Sequence, residues 1–302
     1  MKHVLVLSYS QSGQLTEILD PFLAPFASAD VTVERLAIAP ARAYPFPWTS
    51  DAFFDLMPET VLEEPIALAP FTPARASYDL IVLGYQPWFL SPSRPTAALL
   101  RHASLRPLLA GTPVVTVIGS RNMWINAQAS VRAALSEAGA RLVANIPFVD
   151  RAQNQLSAIS ILHWMLTGRK ERKWGIFPRP GVSEADIARA SVYGEPVAAA
   201  LRRGDFDGLQ TDVRALGGIS IPTDILFIES RAGRLFRIWA NLIKKRGTTP
   251  GRRRFWVGFF KVYLLVALFG VAPILVGVYS YAIAPFLRSS IARRKAELLA
   301  AG

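Results

Sequence analysis

The densest set of groups able to hold a ligand lies near the start of the chain. There Ser8, Tyr9, Ser10, Gln11, Ser12, Gly13, Gln14, Leu15 and Thr16 follow the apolar run VLVL of residues 4–7. A strand that ends in such a loop and continues into a helix, here over residues 17–26, aims several backbone N–H groups at one spot and sets a helix N-terminus behind them. That arrangement suits a phosphate, and Ser10, Ser12 and Thr16 add hydroxyls to it. The dinucleotide fingerprint GxGxxG is absent, and so is the GxxxxGK[ST] loop, which needs a lysine that this loop lacks. Two readings remain: a phosphate held by hydroxyls and amides without a cation, or an ordinary Ser-rich connection.

Composition bounds the other chemistries. The chain has no cysteine, which excludes disulfides, iron–sulfur clusters and thiolate nucleophiles. His3, His102 and His163 fall in separate segments without ligand spacing, so no metal site is expected. The net charge of +12 raises the question of nucleic acid, but its distribution argues against it. Residues 244–302 hold 11 of the 34 Lys and Arg residues and one acid, Glu297, whereas the rest of the chain is near neutral with 23 basic and 21 acidic side chains. The excess flanks the uncharged, apolar run 262–287, where it would attract anionic lipid head groups. At about 1.5 Å per residue, a helix over that run exceeds the roughly 30 Å hydrocarbon core of a bilayer.

At 302 residues the chain is long enough for one large domain and something smaller. The elements that must position the first loop are read from apolar runs. VTVERLAI (31–38) alternates like a second strand, and residues 39–77, with seven prolines, form a long connection with a short helix over 50–57. DLIVLG (79–84), PVVTVIG (113–119) and RLVANIPFV (141–149) are strands. Helices are expected over 96–103, 127–138 and 156–167, the last two closed by Gly139 and Gly168. Continuous Val, Ile and Leu runs alternating with helices imply an α/β fold with a doubly wound, five-stranded parallel sheet. Ligands of such sheets bind beyond the carboxyl ends of the strands, which here means loops 8–14, 85–94 and 120–126.

SYSQSGQLTEIL after the first strand and YDLIVLGYQPWFLSPSRP around the third together resemble the flavodoxin-like superfamily, including its quinone-reductase branch. The resemblance spans residues 1–168 and implies an FMN-binding domain. Carried over by position, Ser10, Gln11, Ser12, Gly13, Gln14 and Thr16 would bind the flavin phosphate. Pro87, Trp88 and Phe89 would flank the isoalloxazine, with Trp88 stacked on it, and Gly119, Ser120, Arg121, Asn122 and Trp124 would form a second, looser ring loop. The opening KxVLVxxYSQSGQLTxIL and the apolar, basic tail further resemble the dialkylresorcinol condensing enzymes. That resemblance implies a flavin enzyme acting beside a ketosynthase and an acyl carrier protein. Its reaction would be the oxidation of an alkylated cyclohexanedione to the aromatic ring, or the reduction of a lipidic quinone with NAD(P)H as candidate reductant.

A flavin carries hydride or electron chemistry itself, and the protein supplies position and electrostatics. Arg121 near the pyrimidine edge would stabilise the reduced flavin. Tyr85, beside the ring loop, is the titratable group placed to act as a base, with a packing role as the alternative.

Residues 169–254 read as a helical extension with no flavodoxin counterpart. It comprises a basic, aromatic stretch (169–179), a helix over 183–203 capped by Ser183, an irregular apolar link (217–227) and an amphipathic helix (231–245). Residues 255–287 are the expected membrane anchor and 288–302 a basic tail. The larger basic cluster before the apolar run places the flavin domain on the cytoplasmic face of the cell membrane, and no signal segment precedes the first strand. A single span is the simplest arrangement. Pro273 and Pro285 also permit a re-entrant hairpin, and a helix pair buried in a homodimer is the soluble alternative. Two functions of different class follow: a membrane-anchored flavin enzyme acting on a lipidic ring, or a non-catalytic electron-transfer or scaffold protein docking on a membrane complex. A flavodoxin fold that has lost its cofactor is a third reading.

Overall fold

A computed structural model describes residues 1–300 of the chain. Its strands are β1 (Lys2–Ser8), β2 (Val31–Ala37), β3 (Leu80–Tyr85), the short hairpin pair β4 (Pro87–Trp88) and β5 (Ser91–Pro92), β6 (Pro113–Ser120) and β7 (Arg141–Val149). Five of them pair in parallel in the order β2-β1-β3-β6-β7. Counting the main strands alone, this is the 2-1-3-4-5 order of flavodoxin-like doubly wound sheets. Every residue of the central β3 is buried, which is why LIVLGY carries no alternation, whereas the edge strand β2 alternates as VTVERLA.

One face of the sheet is covered by α1 (Gln14–Leu23); the other by α4 (Arg94–Leu100), α5 (Arg106–Leu109) and α6 (Ile125–Glu137). α2 (Ser50–Asp55) and α3 (Met57–Val61) lie in the long connection after β2, and α7 (Asn154–Thr167) follows β7. The domain does not close at residue 168, as the sequence reading expects. The helix that shares the first face with α1 comes later in the chain. After α8 (Glu184–Ala188), α9 (Ala190–Arg203) places Tyr193, Val197 and Leu201 in the same core as Val4, Leu19 and Phe22, and α10 (Leu209–Ala215) adds Val213. Gly194 lies against the α1 backbone so closely that a Cβ there would fall 2.0 Å from the carbonyl oxygen of Phe22. Ser183 caps α8 as expected, accepting the Asp186 N–H at 3.1 Å.

The expected irregular link is partly helical: α11 (Thr223–Arg246) begins inside it and runs antiparallel to the helical run that follows. That run comprises α12 (Pro250–Val266), α13 (Ala272–Val278) and α14 (Arg288–Leu299), joined by π-helical turns at 267–271 and 279–283 and a 3-10 turn at 284–287. It contains a stretch long and apolar enough to cross a membrane, and none of that stretch is buried inside the protein. α2 and α3 receive α11 and α12 in a third core of Phe54, Met57, Val61, Ala240, Ile243 and Phe260. Arg253 joins them by ion pairs to Asp55 at 2.5 Å and Glu59 at 2.9 Å.

The close approach of α9 to α1 gives a test of where the domain ends. Gly194→Ala should destabilise the protein by about 2 kcal/mol or more, because its new methyl meets backbone that cannot rotate away. Gly251→Ala, whose Cβ would meet nothing within 4 Å, serves as control. Urea unfolding of the two variants measures the difference, and equal stabilities would refute the tight α1–α9 contact.

Candidate functional site

The loop after β1 is built to present amides. Gly13, at φ 86°, takes the left-handed conformation that lets the chain turn into α1, and no atom lies within 4 Å of where its Cβ would be. The first helical bond runs from the Glu17 N–H to the Gly13 carbonyl, and none of the N–H groups from Ser10 to Thr16 donates to another described residue. The Ser10 hydroxyl is buried and also without a partner. Ser12 is half-buried, and Thr16 is exposed on the first turn.

Two expected phosphate ligands have other duties. The Gln14 side chain is clamped to the backbone of Val182, donating to its carbonyl at 3.1 Å and accepting its N–H at 3.0 Å. Gln11 donates to the Pro45 carbonyl at 2.8 Å and accepts the Tyr9 hydroxyl. Both side chains fasten the loop, which leaves their backbone amides as what they offer a ligand.

Beside this loop the β4–β5 hairpin presents Trp88 among three other rings. Tyr9, Tyr44 and Trp48 meet it edge-on, with centroids at 5.9, 5.4 and 5.8 Å. Tyr44 and Trp48 come from the proline-rich connection, where the sequence offered no periodicity to single them out. The hairpin tip, Phe89 and Leu90, is held at φ 47° and 66°, a left-handed geometry that costs non-glycine residues of order 1–3 kcal/mol each. Phe89 does not flank the same space as Trp88: it packs on Phe53 at 5.0 Å, in the third core. Around the rings, Trp48 Nε1, Gln86 Nε2 and Arg94 Nε are buried donors without partners. Ser10 Oγ is likewise a buried polar atom without a partner.

The loop after β6 is tied down more fully than expected. Gly119 packs beneath α1, with Ile18 and Leu15 both 3.5 Å from its would-be Cβ, and the Ser120 hydroxyl donates to the Met123 carbonyl at 3.3 Å. Trp124 is buried in the second core and is no ring-stacking residue. Arg121 donates to Asn154 Oδ1 at 2.7 Å and Asn122 to the same oxygen at 2.8 Å. Burial lowers the Arg121 guanidinium to about 10, although the charges of Asp150 and Glu229 pull the other way.

Tyr85 is not the base. It is 0% exposed, donates its hydroxyl to Gln128 Oε1 at 2.7 Å, and burial drives its ionisation well above the ordinary tyrosine range. The titratable group at this end of the sheet is one the sequence hid, Glu229 of α11. It is 1% exposed; its Oε1 accepts the Asn126 N–H at 2.8 Å at the start of α6, and its Oε2 has no partner. Burial raises its carboxyl to about 7, against the amides of Asn126, Ile125 and Trp124 and the Arg121 charge. Its one sequence signal is an acid that follows the apolar run ILFI of residues 225–228.

Two open clefts lie at the amino ends of the strands, one lined by Arg132, Arg141, Asp207 and Arg214, the other by Lys2, Tyr78 and Asp79. They are remote from the three loops described above, where the polar groups without partners gather. Among the described residues no group of three or more metal-ligating side chains is found.

Strand order and loop placement make this a flavodoxin-like α/β protein. No protein-family model matches the chain, and no curated protein matches it. Among solved structures it is similar to a flavoprotein from Lactobacillus acidophilus in complex with FMN, at 15% identity and a TM-score of 0.39, covering 49% of this chain and 93% of that one. A flavodoxin from the domain Archaea is 11% identical at a TM-score of 0.37, and a flavodoxin mutant from Pseudomonas aeruginosa 13% at 0.37. Each of the two covers 66% of this chain and 99% of its own. The assignment of the fold rests on the chain's own 2-1-3-4-5 strand order.

Glu229 gives the protein a characteristic pH dependence. Its folded carboxyl, at about 7, lies above the ordinary value of about 4.3, so between those limits the folded protein binds more protons than the unfolded chain. Its contribution is fully present below about pH 4.3 and is lost as pH rises through about 7. Glu229→Gln should therefore flatten the fall in urea midpoint between pH 5 and pH 7.5. An unchanged slope would contradict the raised carboxyl.

Proposed function

We propose that the chain is an FMN-dependent oxidoreductase working at a membrane surface on a lipidic ring. In its finer form, carried by the resemblance to dialkylresorcinol condensing enzymes, the reaction is aromatisation of an alkylated cyclohexanedione supplied by a ketosynthase and an acyl carrier protein. Reduction of a lipidic quinone, with NAD(P)H as reductant, is the reverse type of use for the same site. The observation that carries the reading is the arc of unpaired N–H groups from Ser10 to Thr16 beside an aromatic box edged with unmet donors. Phosphate and pyrimidine oxygens are acceptors, and these are the groups that such donors lack.

In this reading the amides of residues 10–16 and the hydroxyls of Ser10 and Ser12 hold the phosphate at the N-terminus of α1. Trp88 orients the ring, with Tyr9, Tyr44 and Trp48 keeping water from its edge. Bound FMN supplies hydride acceptance or donation. Glu229 is as buried as Tyr85 and stands behind the loop after β6, where its unpaired Oε2, able to hold a proton near neutrality, would act through that loop and not on the substrate. Arg121 supplies a fixed positive charge nearby, oriented by Asn154.

Titration of full-length protein in detergent with FMN, followed by quenching of flavin fluorescence, tests the site. Ser10→Ala combined with Ser12→Ala should weaken binding at least about tenfold, since hydrogen bonds to a charged group are worth roughly 1.5–3 kcal/mol each. Trp88→Ala should lower affinity and leave the bound flavin more fluorescent. Wild-type protein that takes up no FMN would overturn the reading.

A further inference from the structure

The apolar run between α12 and α14 is fastened to the domain at both ends. On its amino side, Lys261 donates to Ser50 Oγ at 2.7 Å, and Val257 and Phe260 are buried against α2 and α3. On its carboxyl side, Tyr279 stacks on Phe227 at 3.9 Å, Lys295 donates to Thr223 Oγ1 at 2.7 Å, and Leu299 enters the core beneath the sheet. Arg132 of α6 donates to the Ala300 carbonyl. A segment that crossed a bilayer would leave these two sets of contacts on opposite sides of about 30 Å of hydrocarbon. Both sets instead belong to one water-facing α/β body.

Between the fastened ends the run is bare. Val262, Val266, Ile274 and Val278 are exposed, Ile274 at 68%, and beyond them Tyr281 at 88% and Phe286 at 85%. Exposed cations stand at both ends of this face, Arg252 and Arg254 before it and Arg288 and Arg293 after it. An uncharged apolar run, fastened at both ends to the α/β body, bracketed by arginines and tipped with aromatic rings, matches a leaflet whose surface is anionic.

We propose that residues 255–287 lie in the plane of an anionic phospholipid leaflet and do not cross it, so that α12 and α14 stay on the same side as the α/β body. This rests on the membrane part of the proposed function and replaces the single span expected from the sequence by surface insertion. The consequence for the site is proximity. α2, which receives α12 in the third core, also places Phe53 6.3 Å from Trp48 of the aromatic box, so the box lies next to the lipid-bound helix.

The absence of cysteine makes the test direct. Full-length Thr248→Cys, in the turn before α12, and Ala292→Cys, on the exposed side of α14, are labelled with a membrane-impermeant maleimide in sealed inverted vesicles and in spheroplasts. Both positions should react from the same side, and Ile274→Cys carrying a fluorophore should be quenched by a lipid-borne quencher. Purified protein should bind phosphatidylglycerol vesicles more than about tenfold better than phosphatidylcholine vesicles at low salt. Labelling from opposite sides would overturn in-plane insertion while leaving a membrane anchor in place. Protein that binds neither vesicle and runs as a lipid-free dimer would overturn the membrane part of the proposed function as well, with a second copy covering the face.

Discussion

Seven consecutive N–H groups, from Ser10 to Thr16, end without an acceptor among the described residues, and much of the fold serves to hold them in place. Unmet amides at a helix N-terminus carry the positive end of the helix dipole, and their arrangement matters only if the loop is rigid. The rigidity comes from far along the chain. Val182 clamps Gln14, Lys170 pairs with Glu17 at 2.9 Å, and α9 presses Gly194 against the backbone of α1. The loop is thus pre-organised by residues that a minimal five-stranded domain would not contain, which lowers the ordering cost of binding an anion.

The same economy links the aromatic box to the membrane face. Phe53 and Phe54 are neighbours on α2: Phe53 meets Trp48 and Phe89, while Phe54 packs with Phe260 of α12. One short helix therefore supports the ring environment on one side and α12 on the other. Glu229 makes a second link, since α11 carries it to the start of α6 and the loop after β6. On the proposed membrane reading, a substrate arriving from lipid would meet a site braced by the elements that the proposal places in the leaflet.

The sheet was legible because a strand buried on both faces reads as a near-continuous apolar run, as LIVLGY does and as PVVTVIGS does apart from Thr116 and the terminal Ser120. The first loop was legible as the turn from β1 into α1, because Gly13 and its neighbouring serines break the apolar run. Aromatic roles were not. Trp88, Phe89 and Trp124 look alike in sequence, yet one lies in the box, one in the third core and one beneath α6. Tyr44 and Trp48 were hidden among seven prolines, because irregular chain has no period from which to read a facing direction. Closure of the domain by α9 was hidden for another reason: its contacts depend on the small residues Gly194, Ala198 and Ala200, whose value is steric and appears only when α1 lies against them. Glu229 escaped because one carboxylate in an apolar stretch carries no sign of the amides that will surround it.

Hydrogen exchange of the backbone amides of residues 10–16, with and without FMN, tests the central claim most directly. Without ligand these amides should exchange rapidly, having no acceptor among the described residues. With FMN bound they should slow together by about tenfold or more while the amides within α9 stay unchanged. Rapid exchange of residues 10–16 under saturating FMN would contradict the account, since the phosphate would then be held elsewhere.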